Sequence, residues 1–187
     1  MRAFIAVDLP PEIKADLSGL IRKLKRIAPP AISWAREEGM HVTLKFLGEI
    51  EEETAAGIGR AMTIVAGKAK GFAVAVRGAG MFPPPPRPPR VVWIGLEDSP
   101  PLMTLQAGLE AALETLGFPR EQRPFHPHLT LGRIKAPGGL GAVLDAIRKT
   151  ENVRWGEMNV GELVLFRSVL RPAGAEYTPI EKGRLGS

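Results

Sequence analysis

Two segments in opposite halves of the chain share one short pattern, and this repeat restricts the possible fold more than any other sequence feature. The segments MHVTLKFLG and FHPHLTLGR each contain histidine, an aliphatic residue, threonine and leucine in that order. The chain has only three histidines, and His128 follows His41 by about half of the chain length. The pattern and its spacing therefore predict a duplicated architecture.

Apolar and polar residues alternate in both segments, which predicts β-strands whose successive side chains point to opposite faces. Val42, Leu44 and Phe46 are then expected on the covered face of the first strand, packed on helices. Each open face is expected to carry one imidazole and one hydroxyl group: His41 and Thr43 on the first strand, His128 and Thr130 on the second.

A strand face with imidazole and hydroxyl groups suits the hydrolysis of a phosphodiester. Imidazole titrates at about pH 6.5, so one histidine can accept a proton from water while the other donates a proton to the leaving oxygen. Threonine hydroxyls can donate hydrogen bonds to the non-bridging phosphate oxygens. The repeat thus contains the groups that an acid–base phosphodiesterase needs.

Two other interpretations of these residues stay open. The threonines also suit strands because of their β-propensity, and a half-buried histidine often has a structural role, although the repeat in both halves favours function. His126 shares the strand face of His128, so the two imidazoles are also a candidate metal pair. Pro127 lies between them and no carboxylate cluster is adjacent in the sequence, so the preferred interpretation includes no metal.

The rest of the sequence predicts alternating strands and amphipathic helices. Apolar residues recur at helical spacing from Ile13 to Ile27, in residues 51–67, from Leu102 to Leu116, and in residues 140–149. Further strands are expected at residues 2–9, 71–82, 90–97 and 161–170 and around Tyr177. Each half is predicted to run strand–helix–strand–helix–strand, and the second half adds one strand.

A run of prolines interrupts this order at residues 83–89. Proline cannot donate a hydrogen bond to a strand ladder, so the run is expected to be a loop in an extended polyproline conformation. A stiff connector is the preferred interpretation, and a ligand for a polyproline-binding domain is the alternative.

The composition favours one globular domain over residues 1–187. Hydrophobic residues make up 44% of the chain, which is enough for a sizeable core. No run of about 18 apolar residues is present, so neither a membrane span nor a signal peptide is expected. The lack of cysteine excludes disulfide bonds, thiolate metal sites and cysteine nucleophiles, and it agrees with a cytoplasmic location.

The chain is basic, with a formal net charge of +5 and a pI of about 9.8. This charge favours anionic partners such as RNA or phosphate esters, and an ordinary solvated surface is the alternative. Basic side chains at residues 22–26 lie on the polar face of the first predicted helix, where they either face solvent or contact RNA. Lys45 and Arg133 are candidate cations of a cleft between the two motif strands.

On the basis of its two histidine–threonine motifs, the sequence resembles the two-histidine phosphoesterases, specifically the RNA 2′,3′-cyclic phosphodiesterases, also called 2′-5′ RNA ligases. The resemblance covers nearly the whole chain. It includes RAFIAVDLP, HVTLKFLGE, VVWIG and FHPHLTLGR, and a closing segment with Ser168, Leu170, Gly174 and Tyr177.

The resemblance implies an α+β fold of two pseudo-symmetric lobes, in which antiparallel sheets line a central cleft and helices pack outside. It implies opening of a terminal RNA 2′,3′-cyclic phosphate, or of a nucleoside 2′,3′-cyclic phosphate, to a 2′-phosphate. The resemblance also implies that no metal or other cofactor takes part and that 2′-5′ ligation is the reverse reaction. His41 and His128 would be the catalytic pair, and Thr43 and Thr130 would bind phosphate.

Three further details of this site are expected. Arg133 matches a phosphate-binding position, but strict alternation places it opposite His128, so a β-bulge or a strand end is required. His41 is preferred as the acid and His128 as the base. Base preference is expected to be weak, with Trp34 and Tyr177 as candidates for stacking on a terminal base.

Two other functional classes remain as alternatives: a metal-dependent phosphohydrolase, and a non-catalytic basic RNA-binding protein whose histidine and threonine faces only hold phosphate. The protein is expected to be a monomer without membrane association.

Overall fold

Nine β-strands form two antiparallel sheets in the computed structural model, which describes residues 1–84, 86–136, 138–171 and 174–186. Four α-helices accompany the strands within these ranges. In chain order the elements are β1 (Arg2–Asp8), α1 (Pro11–Lys25), β2 (Ile32–Trp34), β3 (His41–Glu49), α2 (Thr54–Gly67), β4 (Phe72–Phe82), β5 (Val91–Leu96), α3 (Pro100–Glu114), β6 (His128–Ile134), α4 (Gly141–Arg148), β7 (Arg154–Val160), β8 (Glu162–Arg171) and β9 (Gly174–Arg184).

The first sheet has the strand order β3-β1-β8-β9 and the second has the order β2-β6-β5-β4-β7. Helix α2 packs on β8 and β9, α3 on β3, α1 on β7, and α4 on β4. Strands and helices therefore form separate layers, and the predicted α+β class is confirmed.

Each sheet draws strands from both halves of the chain. β4 comes from the first half but pairs with β5 and β7, whereas β8 and β9 come from the second half and extend the sheet of β1 and β3. If the two sheets are superposed in order, β3, β1, β8 and β9 correspond to β6, β5, β4 and β7. The two halves are thus joined by an exchange of strands.

The apolar residues predicted at helical spacing are buried in the central turns of their helices, as expected. Ile13, Leu17 and Leu24 of α1 are at most 2% exposed. Helix α1 ends at Lys25, before the prolines that were expected to end it, and Ile27 is 47% exposed for this reason. Leu116 is likewise beyond the end of α3 and is 42% exposed.

Two strands were not predicted. β2 has only three residues, too few for a periodic signal. β7 has the sequence RWGEMNV, in which only Met158 and Val160 are buried, and its Gly156 has φ 138°. Glycine, glutamate and asparagine are depleted in strands, so this segment has little strand propensity of its own and is held by pairing with β4.

The proline run lies between the paired strands β4 and β5, where a connector was expected. Pro85 lies outside the described residues. None of the helices in the described ranges is long and apolar enough to cross a membrane.

A β-bulge interrupts β3 directly after its histidine–threonine pair. Ala6 of β1 is paired with Thr43, but Ile5 is paired with Lys45, so Leu44 is an additional residue in β3. An additional residue reverses the alternation of side chains beyond it. Leu44 and Lys45 are consequently both buried although they are consecutive.

The same irregularity occurs in β6. Trp93 of β5 is paired with Thr130, but Val92 is paired with Gly132, so Leu131 is the additional residue. Leu131 and Gly132 are both buried, as Leu44 and Lys45 are in β3. The two strands with the repeated motif therefore share a bulge at the same position.

The bulge in β3 contradicts two expectations. Val42 and Leu44 are buried as predicted, but Phe46 is 64% exposed and does not pack in the core. Lys45 takes the covered face instead and is 6% exposed, so its prediction as a cleft cation is wrong. Both errors follow from continuing a strict two-residue period through the bulge.

Lys45 belongs to a buried polar cluster of three side chains, Lys45, Gln106 and Glu110, each at most 9% exposed. Its Nζ atom donates hydrogen bonds to Glu110 Oε2 at 2.6 Å and to the carbonyl of Pro119 at 2.6 Å. Glu110 Oε2 also accepts from the backbone N–H of Glu121 at 3.2 Å. The cluster thus fastens β3 to α3 and to the segment that leads into β6.

Replacing Lys45 by methionine should destabilise the protein by about 3–5 kcal/mol, because the Glu110 carboxylate would stay buried without its cation. The double variant Lys45→Met with Glu110→Leu should recover most of this loss, since it removes both charges. Urea unfolding measures both. The control Lys182→Met removes an exposed ion pair with Glu162 and should cost less than about 1 kcal/mol. A Lys45→Met variant as stable as the control would contradict the assigned role.

Candidate active site

The two motif strands are neighbours although they belong to different sheets. β3 is the edge strand of the first sheet, and it contacts β6 of the second. His41, Thr43, His128 and Thr130 are all half-buried, whereas the aliphatic residues between each pair are buried. The predicted division of each motif into a covered face and an open face is therefore present.

His41 lies in an aromatic setting. Its imidazole stacks on the ring of Phe4 with centroids 4.5 Å apart and planes inclined by 26°. Tyr177 contacts the imidazole edge-on at 5.1 Å, and Phe166 lies 6.0 Å away. These rings fix the plane of the imidazole and remove water from most of its surface.

Burial lowers the pKa of His41 from 6.5 to about 4. A hydrogen bond to the Gly39 backbone and the nearby charge of Asp8 raise the pKa in part, and the charge of Lys14 lowers it. Asp8 and Lys14 form an ion pair at 2.6 Å, so their effects on His41 largely oppose each other. His41 is therefore neutral at pH 7 in the free protein.

His128 has a comparable setting in the second sheet. Its Nδ1 atom lies 2.7 Å from the carbonyl oxygen of His126, so Nδ1–H is the donor and Nε2 is left for substrate. Phe82 contacts the imidazole edge-on at 5.1 Å, and Trp93 lies 6.4 Å away. Both candidate histidines thus bind a backbone group two residues earlier and pack on aromatic rings.

Burial also lowers the pKa of His128, and electrostatic interactions with His126 and Arg133 lower it further. The hydrogen bond to the His126 carbonyl opposes them. Arg133 is exposed, and the bulge at Leu131 places it on the same strand face as His128.

Two glycines make room for the indole ring of Trp93. A Cβ atom at Gly80 would overlap this ring, and a Cβ atom at Gly95 would lie 3.2 Å from its Cζ3 atom. Trp93 therefore lies flat across β4 and β5, where it contacts His126 at 5.1 Å. Gly80 and Gly95, in the segments GFAVAVRGAGMF and VVWIG, thus leave the space in which the Trp93 ring packs beside the second motif.

The aromatic residues that were expected to face a terminal base have different surroundings. Trp34 is paired with Gly132 and covers it on the core side of β6, opposite to Arg133. Tyr177 packs against His41. Phe46 is the more accessible ring: it pairs with Phe4, lies 6.1 Å from it, and shares the sheet face of His41.

The sequence contained a signal for Phe46 that the period-two argument overrode. Phe46 follows His41 by five residues, as Arg133 follows His128, so aligning the two motifs pairs the phenyl ring with the guanidinium. The aromatic neighbours Phe4, Phe82 and Trp93 had no comparable signal, since they lie on other strands.

His126 packs edge-on against Phe82 at 5.1 Å and lies 6.2 Å from His128. Among the described residues, no group of three or more histidine, aspartate or glutamate side chains is placed to hold a metal ion.

The chain matches the family described as LigT like Phosphoesterase twice, over residues 7–93 and over residues 94–177. It is 38% identical to an RNA 2′,3′-cyclic phosphodiesterase of Methanothermobacter thermautotrophicus over 188 residues, which cover 99% of each protein. It is also 38% identical to the protein of that name from Thermotoga maritima over 178 residues, 95% of this chain and 91% of the relative.

Solved structures agree with this comparison. TT0787 of Thermus thermophilus superposes with a TM-score of 0.82 at 32% identity, covering 99% of this chain and 98% of that one. The E. coli LigT structure in complex with 3′-AMP gives a TM-score of 0.75 at 29% identity, with coverage of 100% and 98%. The chain described here is a member of the LigT-like phosphoesterase family.

Proposed function

We propose that this protein is an RNA 2′,3′-cyclic phosphodiesterase, which opens a terminal cyclic phosphate to a 2′-phosphomonoester with His41 and His128 as its acid–base pair. The observation that carries the proposal is the repeated geometry of β3 and β6. Each strand presents one half-buried imidazole and one threonine hydroxyl before a bulge, and the two strands are in contact. The names of the relatives and the 3′-AMP complex of E. coli LigT support the substrate class.

In the proposed reaction, water attacks phosphorus and the bond from phosphorus to the 3′ oxygen breaks. One histidine removes a proton from the attacking water, and the other protonates the departing 3′ oxygen. One water molecule is consumed, and the phosphate stays on the 2′ oxygen. The five-membered ring keeps the leaving oxygen in place, so proton transfer and anion stabilisation suffice as catalytic devices.

Thr43 and Thr130 donate hydrogen bonds to the non-bridging phosphate oxygens, and Arg133 adds a positive charge on the side of His128. A cation that touches the phosphate stabilises the charge that develops there in the transition state. This arrangement puts two hydroxyl donors and one guanidinium around a single phosphate.

Because both imidazoles are buried, their protonation is expected to change when substrate binds. The pKa values of both imidazoles are lowered, so the free protein at pH 7 holds them neutral. A bound phosphate anion favours the cationic form of an adjacent imidazole, so the histidine that serves as acid takes up its proton together with substrate. The assignment of His41 as acid and His128 as base stays a prediction.

We further propose that hydrolysis needs no metal ion and that 2′-5′ ligation is its reverse. The pair of imidazoles supplies both proton transfers, so the mechanism leaves no step that requires a metal-bound water. We also propose that the protein acts as a monomer in the cytoplasm, which agrees with a composition that lacks cysteine.

Phe46 is proposed as the platform for the terminal base. Its side chain is exposed beside Phe4, on the sheet face that also carries Thr43. Stacking on a phenyl ring is tolerant of base identity, so this contact agrees with a weak base preference.

Replacing His41 or His128 by alanine should lower turnover of a nucleoside 2′,3′-cyclic phosphate by about 10² to 10⁴-fold, because each moves a proton in the transition state. Thr43→Val and Thr130→Val should lower it less, by about 10 to 10³-fold. His126→Gln, which retains the carbonyl bound by His128, is the matched control, with a loss below about tenfold. All variants are compared in excess EDTA, with the 2′-monoester identified as product.

The same assay separates the alternatives. Wild-type activity that disappears in EDTA would support a metal-dependent phosphohydrolase, and binding without turnover would support an RNA-binding protein. A His41 or His128 variant with wild-type turnover would remove the acid–base pair from the mechanism.

Phe46→Ala should raise the KM for a nucleoside 2′,3′-cyclic phosphate by about tenfold, since stacking of one base contributes about 1–3 kcal/mol. Phe46→Trp retains the stacking surface and should leave the KM near that of wild type. Ribose 2′,3′-cyclic phosphate has no base and is the matched substrate, whose KM should not respond to either change. An equal rise for the base-free substrate would show that Phe46 contacts the sugar phosphate instead.

A further inference from the structure

We infer that the RNA backbone on the 5′ side of the cyclic phosphate follows the exit row, defined as Arg133, Lys135 and Arg90. This inference rests on the proposed function and adds the path that a polymeric substrate takes from the active site. It concerns the length of the substrate, whereas the proposed reaction concerns only its terminal nucleotide.

Arg133 and Lys135 continue the strand face that carries His128 and Thr130. Arg133 occupies this face because of the bulge, and the next residue, Ile134, points to the core with 5% exposure. The backbone N–H of Lys135 donates to the carbonyl of Ala31 at 2.8 Å, which continues the pairing of β2 with β6 by one step. Lys135 therefore has the same orientation as Arg133.

Arg90 lies beside Lys135, in the residue directly before β5. Its carbonyl accepts a hydrogen bond from the N–H of Ile134 at 2.8 Å, and Arg90 and Lys135 line the same shallow depression. All three cations of the row are exposed. Within the described residues, none of them forms an ion pair or a side-chain hydrogen bond.

Three neighbouring cations without acidic partners repel one another, and an anionic chain relieves this repulsion. Successive residues on one strand face are separated by roughly 7 Å, which is close to the separation of successive phosphates along an extended RNA strand. A phosphate at Thr130 and Arg133 would thus place the next one near Lys135.

The other motif strand offers no such continuation. Phe46 occupies the position in β3 that Arg133 has in β6. A second bulge at Leu47 follows it, so Gly48 is paired with the buried Ala3 and the next residue on the open face is Glu49, which is acidic. The nearest cation on β1, Arg2, is paired in register with Glu49. The base is therefore accommodated along β3 and the backbone along β6.

The test compares Lys135→Gln, Arg90→Gln and the double variant on two substrates: a nucleoside 2′,3′-cyclic phosphate and a five-nucleotide RNA ending in the same cyclic nucleotide. Each single change should raise the KM of the RNA by about three- to tenfold at low salt and leave that of the mononucleotide within about twofold. The logarithmic dependence of RNA affinity on salt should become shallower by about 0.7 per cation removed.

Lys68→Gln is the matched control, because Lys68 is an exposed lysine at the C-terminal end of α2 and is not part of the exit row. A double variant that behaves like this control would overturn the exit row, and so would an equal rise in KM for both substrates. Binding to RNA with a 2′-phosphate end, measured by fluorescence anisotropy, gives the same comparison without turnover. If wild type bound this RNA through the exit row but hydrolysed neither substrate, the proposed reaction alone would fail.

Discussion

The bulge that follows each histidine–threonine pair is the constraint on which the rest of this site depends. One additional residue, Leu44 in β3 and Leu131 in β6, reverses the alternation of side chains in the middle of each strand. Before the bulge, imidazole and hydroxyl groups share the open face. Beyond it, Phe46 and Arg133 join that face, and the residue between is forced into the core. The bulge thus replaces Lys45 by Phe46 on the open face of β3, and Gly132 by Arg133 on that of β6.

The residue directly after the bulge, which faces the core, has different consequences in the two strands. In β6 it is Gly132, which lets Trp34 pack closely over the strand. In β3 it is Lys45, whose buried ammonium group is held by Glu110 and by the carbonyl of Pro119. This interaction fastens the first motif to the segment that precedes the second. The two motif strands are therefore connected by a polar cluster on the side of β3, whereas the corresponding position in β6 is a glycine.

Much of this fold follows from local pattern. The apolar stripes of α1 and α3 and the phase of His41 and His128 on their strands were all predictable, because each depends on residues a few positions apart. Phe46 and Lys45 were placed on the wrong faces because a bulge is set by pairing with β1, which a single strand does not reveal. The exchange of β4 and β8 between sheets and the weak strand β7 were likewise determined by partners distant in sequence.

The central claim, that two half-buried imidazoles exchange protons with the substrate, is tested most directly by the pH dependence of kcat/KM in excess EDTA. One histidine must be neutral and the other protonated, so the account predicts a bell whose limbs belong to the pair. Because burial lowers the pKa of His41 to about 4 and also lowers that of His128, the maximum for free enzyme should lie below pH 6.5. The kcat profile should be displaced to higher pH by the bound phosphate. A rate that rises steadily into alkaline solution would contradict the account and indicate hydroxide as the nucleophile.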